Sequence, residues 1–475
     1  KMEHVLNDVY IGRVPIMIYS SLCHVNARAE NKECEYDVGG YFIISGKEKV
    51  LITQTGGLTN RMVCYKSKKS CAVAVQSEKD YRMYVTTIKY TNSKKPITIT
   101  FPRLQDEVPV MTLLVALGFS IDEIKSVYTA KELILLHGSF NSLPTDQAEA
   151  RRRIVIREVY NLGEVPEARL KNAFDNMLVP HIENDYSIKG CFLLKMVREL
   201  LKVATGERKA TDRDSLVNQR MHSSYSLLST LFYQLLITWS DNLKKNFNKL
   251  IAKRKLPLNV ATITRVINEN NCITDGFSYA LATGTFNTKS VNKKLMKGVS
   301  QQFQRQSYVA GLSHLRKVSS SIDAEMNKNP LPRYLHGTQY GRLCPAESPE
   351  GATVGLEKTL AVTAYISLET SPSPILHVIT PFLLPVCVGN IQRGCDVYVN
   401  GVYVGITMLH TNVVQTVKAG RRSGQFEKDV SISLIDDIVH ISTTAGRVCR
   451  PLLIVEDGAV LYDAEHDMGW HELMK

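Results

Sequence analysis

The hydrophobic period changes along this chain, and that change constrains the fold more than any single residue does. Across residues 82–101, Thr, Tyr, Val and Ile alternate at the two-residue period of a half-buried strand, and Asn92-Ser93-Lys94-Lys95-Pro96 divides the run in two. From Val110 onward the apolar residues fall at helical spacing, which predicts helices over 111–119, 121–137, 147–161, 165–178 and 190–205, continuing through 216–251 and in pieces after Pro257. The last hundred residues return to β character: 396–405 alternate around Asn400-Gly401, the pair preferred by a two-residue type I′ hairpin, and 439–448 make a further strand and turn. A second hairpin is predicted over 39–52, with Ser45-Gly46-Lys47-Glu48 as its turn. Residues 10–18 read as a β-rich run broken by Pro15. A chain of 475 residues that switches period this way is an α+β multidomain protein, of about three domains at ~150 residues each.

Whole classes are excluded by what is missing. With 44% hydrophobic and 22% charged residues the composition is that of a folded chain, not a disordered or fibrous one. No apolar run approaches the roughly 18 residues of a bilayer span, and Lys1-Met2-Glu3-His4 opens no signal-peptide stretch, so no membrane association is expected. The ten cysteines are dispersed, without a Cys-x-x-Cys pair or a Cys/His cluster, so reduced thiols and no zinc are expected. Gly46-Lys47 is no phosphate loop, because Tyr41 stands where the motif needs Gly and Glu48 where it needs Ser or Thr. The dinucleotide, hydrolase and zincin motifs are absent as well. Thr211-Asp212-Arg213-Asp214-Ser215 is the nearest thing to a metal-holding carboxylate pair. Its better reading is a loop and helix cap in which Asp214 or Ser215 meets free backbone N–H groups.

Charge is distributed unevenly. The net charge is +12, and residues 241–330 hold 15 basic against 5 acidic residues, so ten of the twelve excess charges lie in under a fifth of the chain. That asymmetry favours a polyanionic partner over a merely solvated face. Within it, Gln301-Gln302-Phe303-Gln304-Arg305-Gln306-Ser307-Tyr308 and Ser313-His314-Leu315-Arg316-Lys317 collect donors suited to phosphate and sugar oxygens. A solvated amphipathic helix is the competing reading of these segments, and composition alone favours it. His314 by itself is more often a structural histidine. From 318 to 355 Pro, Gly and Ser accumulate in the manner of a functional loop region.

At 332–356 the chain reads PRYLHGTQYGRLCPAESPEGATVGL. This resembles the fork region of the second-largest subunit of multisubunit DNA-dependent RNA polymerases, of eukaryotic, archaeal or large-DNA-virus type. Further matches follow in the family's order: Gly12-Arg13-Val14-Pro15-Ile16-Met17, the 39–52 hairpin, 211–215 with Arg220, Tyr279-Ala280-Leu281-Ala282-Thr283-Gly284, Gly298-Val299-Ser300-Gln301, Leu312-Ser313-His314-Leu315-Arg316, Val399-Asn400-Gly401 and 446–452. The resemblance implies a β-rich, two-part protrusion (1–70 and 236–287), a largely helical lobe (71–235), a mixed fork (288–366), a β-rich first external domain (367–455) and the start of a second (456–475). It implies an N-proximal part of a subunit, lacking the hybrid-binding, wall and clamp-anchoring segments.

The same resemblance assigns roles. Gln301, Arg305, His314, Arg316 and Lys317 match fork positions near the RNA–DNA hybrid and the downstream strand separation, and Arg333 and Glu350 border the nucleotide site. Tyr334 replaces a Gln of the family, Lys317 stands where Arg is frequent, and the loop 318–331 lacks a second Gly-rich turn. No catalytic residue is expected in this chain. The implied cofactor is Mg²⁺ held mainly by the largest subunit, and the implied partners are that subunit, smaller polymerase subunits, DNA template, nascent RNA and nucleoside triphosphates. The implied location is nuclear, or cytoplasmic and virion-borne for a viral enzyme. Two other readings stand beside it: a noncatalytic nucleic-acid-binding scaffold that keeps the fold, and a small phosphotransferase using Asp212 and Asp214.

Overall fold

The structure is a computed structural model that describes residues 7–26, 34–140, 143–144, 146–154, 166–252, 260–287, 295–320, 329–390, 394–452, 455–456 and 459–460. The chain separates into two compact units, residues 1–56 with 214–366 and residues 57–213 with 367–475. Most of the predicted 456–475 segment, and parts of the 147–161 helix and the 318–331 loop, lie outside the described residues.

In the first unit, Ser45 and Gly46 both take left-handed backbone, with φ of +49° and +74°. The predicted hairpin is present, but its turn is these two residues alone. Lys47 and Glu48 already belong to the return strand Lys47–Leu51, which pairs antiparallel with Phe42–Ile44 so that Ile44 faces Lys47. Ser300–Gln302 adds a third strand, with Ser300 opposite Leu51. A second sheet has the order Glu357–Thr359, Lys317–Ser320, Thr53–Gly57, Gln219–His222. Two helices, Ser224–Ala252 and Cys272–Thr283, bury Phe42, Ile44, Leu51, Leu231, Phe277 and Leu281 between themselves and the small sheet. They approach closely at Gly276, where a Cβ would lie 2.3 Å from the Leu235 side chain.

Two expectations are corrected here. Residues 10–18 form no strand: Pro15 has no N–H to give, and Gly12 is pressed against Ile273, 2.8 Å from where a Cβ would stand. The 216–251 helix is preceded by a 3₁₀ turn at Leu216–Asn218 and a strand at Gln219–His222, and the helix proper starts at Ser224. The ladder partner that makes 219–222 a strand is more than 150 positions away, and local periodicity cannot register it.

The second unit begins with a five-stranded antiparallel meander, Met62–Lys66, Cys71–Lys79, Arg82–Tyr90, Thr98–Thr100 and Val108–Pro109. The break predicted at Asn92–Pro96 falls between the third and fourth strands. Helices then follow in the predicted places: Val110–Leu117, Ile121–Ser126, Ala130–Leu135, His137–Phe140, Gln147–Arg153, Pro166–Asn176 and Tyr186–Thr205. The stretch 121–137 is cut into short helices by two capping boxes, Ser120 with Glu123 and Thr129 with Glu132, each side chain and each backbone N–H satisfied reciprocally. Tyr186–Thr205 is the central helix, with Phe192, Leu193, Leu194, Val197 and Leu200 fully enclosed.

The rest of this unit is a four-stranded sheet, ordered Val402–Thr407, Cys395–Val399, Ile438–Ser442, Ser431–Ile435. Its second and third strands are parallel, and the helix His410–Arg422 makes part of the connection. The Asn400-Gly401 turn is formed as predicted, with φ of +53° and +83°. Ile375, Ile379, Val397, Val413, Val417 and Val439 make its core.

Candidate functional site

The residues singled out in the basic region sit on a strand, a turn, a helix and a second strand in succession. Ser300–Gln302 ends in an irregular stretch, Ser307 caps the helix Tyr308–Leu315 by accepting from the Ala310 N–H at 3.1 Å, and Lys317–Ser320 follows. Of the amphipathic helix weighed against binding, only Tyr308–Leu315 forms, while 301–307 run as strand and irregular chain.

His314 is buried on that short helix. Its Nδ1 accepts from the Gln304 backbone N–H at 3.3 Å, so its Nε2 carries the proton and donates to Gln301 Oε1 at 3.1 Å. Burial foremost, and then the Lys317 ammonium, hold its pKa below the ordinary value. The ring lies parallel to Phe303 at 6.3 Å, and Phe303 in turn stacks on Tyr41 at 5.3 Å. His314 therefore positions Gln301 and the 303–304 backbone.

Arg305 is engaged from several sides. It donates bidentately to Glu48 (2.8 and 2.8 Å) and to Asp37 (3.3 Å), and its guanidinium lies 4.8 Å from the Phe303 ring centroid and 5.2 Å from that of Tyr41. The hydrogen bond to Glu48 is the largest influence raising its pKa. Arg316 is engaged by backbone instead: it donates to the carbonyls of Ala361, Val362 and Ala364, the last at 2.9 Å. Lys317 pairs with Glu357 at 2.5 Å across adjoining strands.

Beside them a cavity of about 260 Å³ is lined by Gln304, Ser313, His314, Lys317, Glu347 and Lys358, among others. Burial holds the Lys358 pKa below the ordinary lysine value, against the pull of Asp214. Ser313 donates to Glu347 across the rim. Such a lining offers amide, hydroxyl and ammonium donors to an oxygen-rich ligand, and carboxylate acceptors to its hydroxyl groups.

The motif segment is shaped by its own side chains. Arg333, in the 3₁₀ turn Leu331–Arg333, donates to the carbonyls of Ala352 (2.7 Å) and Val354 (2.9 Å). Gly355 lies so close to Arg333 that a Cβ would meet its backbone carbonyl at 2.3 Å. The His-x-Thr element has a structural reason: His336 Nδ1 accepts from the Thr338 N–H at 3.2 Å, and Thr338 Oγ1 accepts from the Leu216 N–H at 3.0 Å. That last bond corrects the Ser215 half of the cap expected at 211–215, because Ser215 makes no capping hydrogen bond and Thr338 takes the Leu216 N–H instead. Glu350 is exposed, ahead of the 3₁₀ turn Gly351–Thr353, and does not cap it.

The structure thus joins Gln301 to His314 and sets His314 and Lys317 on one cavity. Arg305, Arg316 and Arg333 have acceptors of their own, and Glu350 stands apart. Asp37, Glu48, Glu347, Glu357 and Lys358 escaped the sequence reading. Nothing in local spacing marks them, because each becomes a partner only through strand pairing or loop closure. Among the described residues, no three His, Cys, Asp or Glu side chains gather in a group able to hold a metal ion.

Comparison with known proteins is consistent along the chain. Residues 1–274 match the family model for the RNA polymerase beta subunit, 301–366 that for RNA polymerase Rpb2 domain 3, and 397–456 that for RNA polymerase Rpb2 domain 4. The chain is 32% identical over 494 residues to the DNA-directed RNA polymerase II subunit RPB2 of Encephalitozoon cuniculi, covering 98% of this chain and 43% of that one. It is 30% identical over 528 residues to DNA-directed RNA polymerase II subunit 2 of Arabidopsis thaliana (98% and 43%), and 30% identical over 497 residues to the subunit Rpo2 of Sulfolobus acidocaldarius (96% and 43%). The chain spans about two fifths of the length of these relatives.

Proposed function

The chain belongs to the Rpb2 family of RNA polymerase second-largest subunits, and on that premise we propose that it forms one side of the active-centre cleft of a DNA-directed RNA polymerase. In this reading it contacts template DNA, the RNA–DNA hybrid and the nucleotide entry region during transcription, in complex with a largest subunit and smaller subunits. The observation that carries the proposal is the in-order match of three family segments to a chain whose donor-lined cavity lies within the second of them. Residues 1–70 with 236–287, 71–235, 288–366 and 367–455 would correspond to protrusion, lobe, fork and first external domain.

The chemistry open to these residues is positioning. Gln301, oriented by His314, and Lys317, beside the cavity, are suited to phosphate and sugar oxygens. Arg305, Arg316 and Arg333 act one step removed, fixing the loops that carry those donors. Glu350, exposed, is a carboxylate suited to accept from a ligand hydroxyl. On the family resemblance Mg²⁺ is assigned to the largest subunit, where it would supply charge stabilisation for phosphoryl transfer. The location proposed is the nucleus, with cytoplasm and virion for a viral enzyme.

The test is purification of the tagged protein from its native source, with mass spectrometry of partners and an RNA-synthesis assay of the eluate. Recovery of a largest subunit with template-dependent RNA synthesis is expected. Recovery of a lone, inactive, nucleic-acid-binding chain would overturn the proposal in favour of the noncatalytic scaffold.

A further inference from the structure

Three elements of the second unit bring two arginines and a histidine to one place. Arg61 leads into the meander's first strand, Met62–Lys66; Arg208 follows the central helix Tyr186–Thr205; His440 stands midway along the strand Ile438–Ser442. The flanking Val439 and Ile441 point into the core shared with the helix His410–Arg422, so His440 faces the opposite side of its sheet. That side belongs to the meander's core, through Tyr398, Tyr403 and Ile406. His440 lies opposite Tyr398 in the parallel ladder and stacks on its ring at 5.7 Å.

Contacts on either side hold this arrangement. The N–H of Asn60, the residue before Arg61, donates to the Gln76 carbonyl at 2.7 Å, and its Oδ1 accepts from the Glu78 N–H at 2.8 Å. Asn60 also lies so close to the Asn400-Gly401 turn that a Cβ on Gly401 would overlap its carbonyl. The Arg208 N–H donates to the Lys202 carbonyl at 3.0 Å, and its guanidinium meets Glu199 on the same helix. Its Nε is 3.9 Å from Asp436, in the turn that leads into the His440 strand. Burial first, and then the Arg208 charge, hold the Arg61 pKa below its ordinary value, and both guanidinium groups act after burial to lower that of His440.

The acids around the cluster are already engaged. Glu199 is shared between Arg208 and Lys202, and Asp396 takes Lys195 and the Tyr403 hydroxyl. Asp436 is exposed and adjoins Arg208, and the neighbouring Asp437 acts on the Cys395 thiol. Among the described residues the Arg61 guanidinium has no ion pair or hydrogen bond, and the His440 ring makes no hydrogen bond. Both residues are half-buried, so each is partly stripped of water and still open to a solute. A guanidinium in such a place, beside a second one, is stabilised by an anion that the surrounding residues do not supply.

We propose that Arg61, Arg208 and His440 form a binding site for a small tetrahedral oxyanion, a phosphate group, which ties the meander to the four-stranded sheet. Arg61 supplies a planar fork of donors with nothing else to bond. Arg208 adds a second positive charge and the N–H groups it does not spend on Glu199, and the neutral His440 ring donates one N–H. Donors arriving from three elements suit a group whose oxygens point tetrahedrally, whereas a planar carboxylate engages a single fork. The site lies in the second unit, while the fork-like cavity belongs to the first, and it does not rest on the proposed function.

The test is thermal melting of the full 475-residue chain in phosphate, sulfate, acetate or chloride at one pH and ionic strength, with isothermal titration calorimetry of phosphate. Phosphate and sulfate are expected to raise the melting temperature saturably, and acetate to leave it at the chloride value. In Arg61→Gln the phosphate concentration for half the effect should rise about tenfold or more. Arg61→Lys, which keeps the charge and loses the fork, should fall between the two. Arg82→Gln, at an exposed arginine of the same meander, removes equal charge and is expected to titrate as the parent does. Calorimetry reads the affinity of folded protein, so a variant that melts lower is still tested. Free O-phosphoserine separates two sources of the group: affinity like that of inorganic phosphate admits a phosphorylated side chain, no affinity restricts the site to the free anion, and either supports the site. A phosphate effect no larger than that of acetate, a titration unchanged in Arg61→Gln, or an equal loss in Arg82→Gln would each overturn the proposal. The assay reads neither RNA synthesis nor a partner subunit, so it fails or succeeds separately from the purification test above.

Discussion

Arg305, Arg316 and Arg333 in the first unit and Lys68, Lys69, Lys94 and Lys95 in the second are all surface cations of a basic protein, yet the fold treats them in opposite ways. Each arginine meets acceptors from its own chain: carboxylates for Arg305, backbone carbonyls for Arg316 and Arg333. The four lysines meet none among the described residues. The difference teaches that a cation's role is decided by whether folding delivers an acceptor to it, and the local sequence does not contain that information. By charge density alone 241–330 is the binding region, but much of its side-chain chemistry holds loops in place.

The second unit also contains an engaged cation, so the contrast lies in the acceptors rather than in the unit. Lys195, on the central helix Tyr186–Thr205, donates to both carboxylate oxygens of Asp396 at 2.8 Å, and the Tyr403 hydroxyl donates to the same carboxylate at 3.0 Å. Both charged groups are buried, and burial holds the Lys195 pKa below its ordinary value in spite of Asp396. Asp396→Ala leaves an uncompensated buried ammonium and is expected to cost about 3–5 kcal/mol in a denaturant titration. Lys195→Met with Asp396→Leu is expected to recover most of it. A single-variant loss below about 1 kcal/mol would mean that the acceptor does not govern the cation, breaking the comparison at its strongest point.

Much of the fold was legible in advance because its signals are local. Helical spacing after Val110, the Asn400-Gly401 turn and the break at Asn92–Pro96 are carried by residues close in sequence, and all three appear in the structure. The strand Gln219–His222 and the empty place of the strand expected at 10–18 were not legible, since the first needs a remote ladder partner and the second is undone by a close approach to Ile273. The candidate site divides in the same manner. The residues of 301–317 could be named from their donor chemistry, while Glu48, Glu357 and the carbonyls of 361–364, which decide what those donors do, come from other elements. Arg61, Arg208 and His440 are visible in the sequence, but their convergence is a consequence of how the meander and the four-stranded sheet share a core.

Arg316 gives the next sharpest test, because the resemblance casts it as a nucleic-acid contact and the structure gives it three carbonyl acceptors. Arg316→Ala strands those carbonyls and is expected to destabilise the first unit by about 2 kcal/mol. Arg316→Lys should recover only part of it, since the three carbonyls surround the one Nη2, a position that a lysine ammonium reaches only from a shorter, flexible stem without the planar guanidinium. Thermal melting of the two variants measures this. An Arg316→Ala protein that melts like the parent but binds duplex less tightly would move Arg316 to the side of the four lysines.

Histidine adds a third fate, in which the potential cation is kept uncharged. His181 and His440, both in the second unit, have pKa values pushed down to about 3. Burial is the main cause for both, followed by the Lys189 ammonium for His181 and by the Arg61 and Arg208 guanidinium groups for His440. Between about pH 6.5 and 3 the unfolded chain therefore binds protons that the folded chain refuses, so stability falls as the pH is lowered through that window. From pH 7 to pH 6 the expected loss is about 0.7 kcal/mol per imidazole. His440→Gln should flatten the profile by that amount, read as the difference between denaturant midpoints of parent and variant at the two pH values. His440 stacks on Tyr398 at 5.7 Å, so the variant also loses some packing, but that loss is the same at both pH values and cancels in the difference. A profile as steep in the variant as in the parent would mean that His440 takes up its proton in the folded chain over the same pH range as in the unfolded one, adding positive charge beside Arg61 and Arg208 as the pH falls.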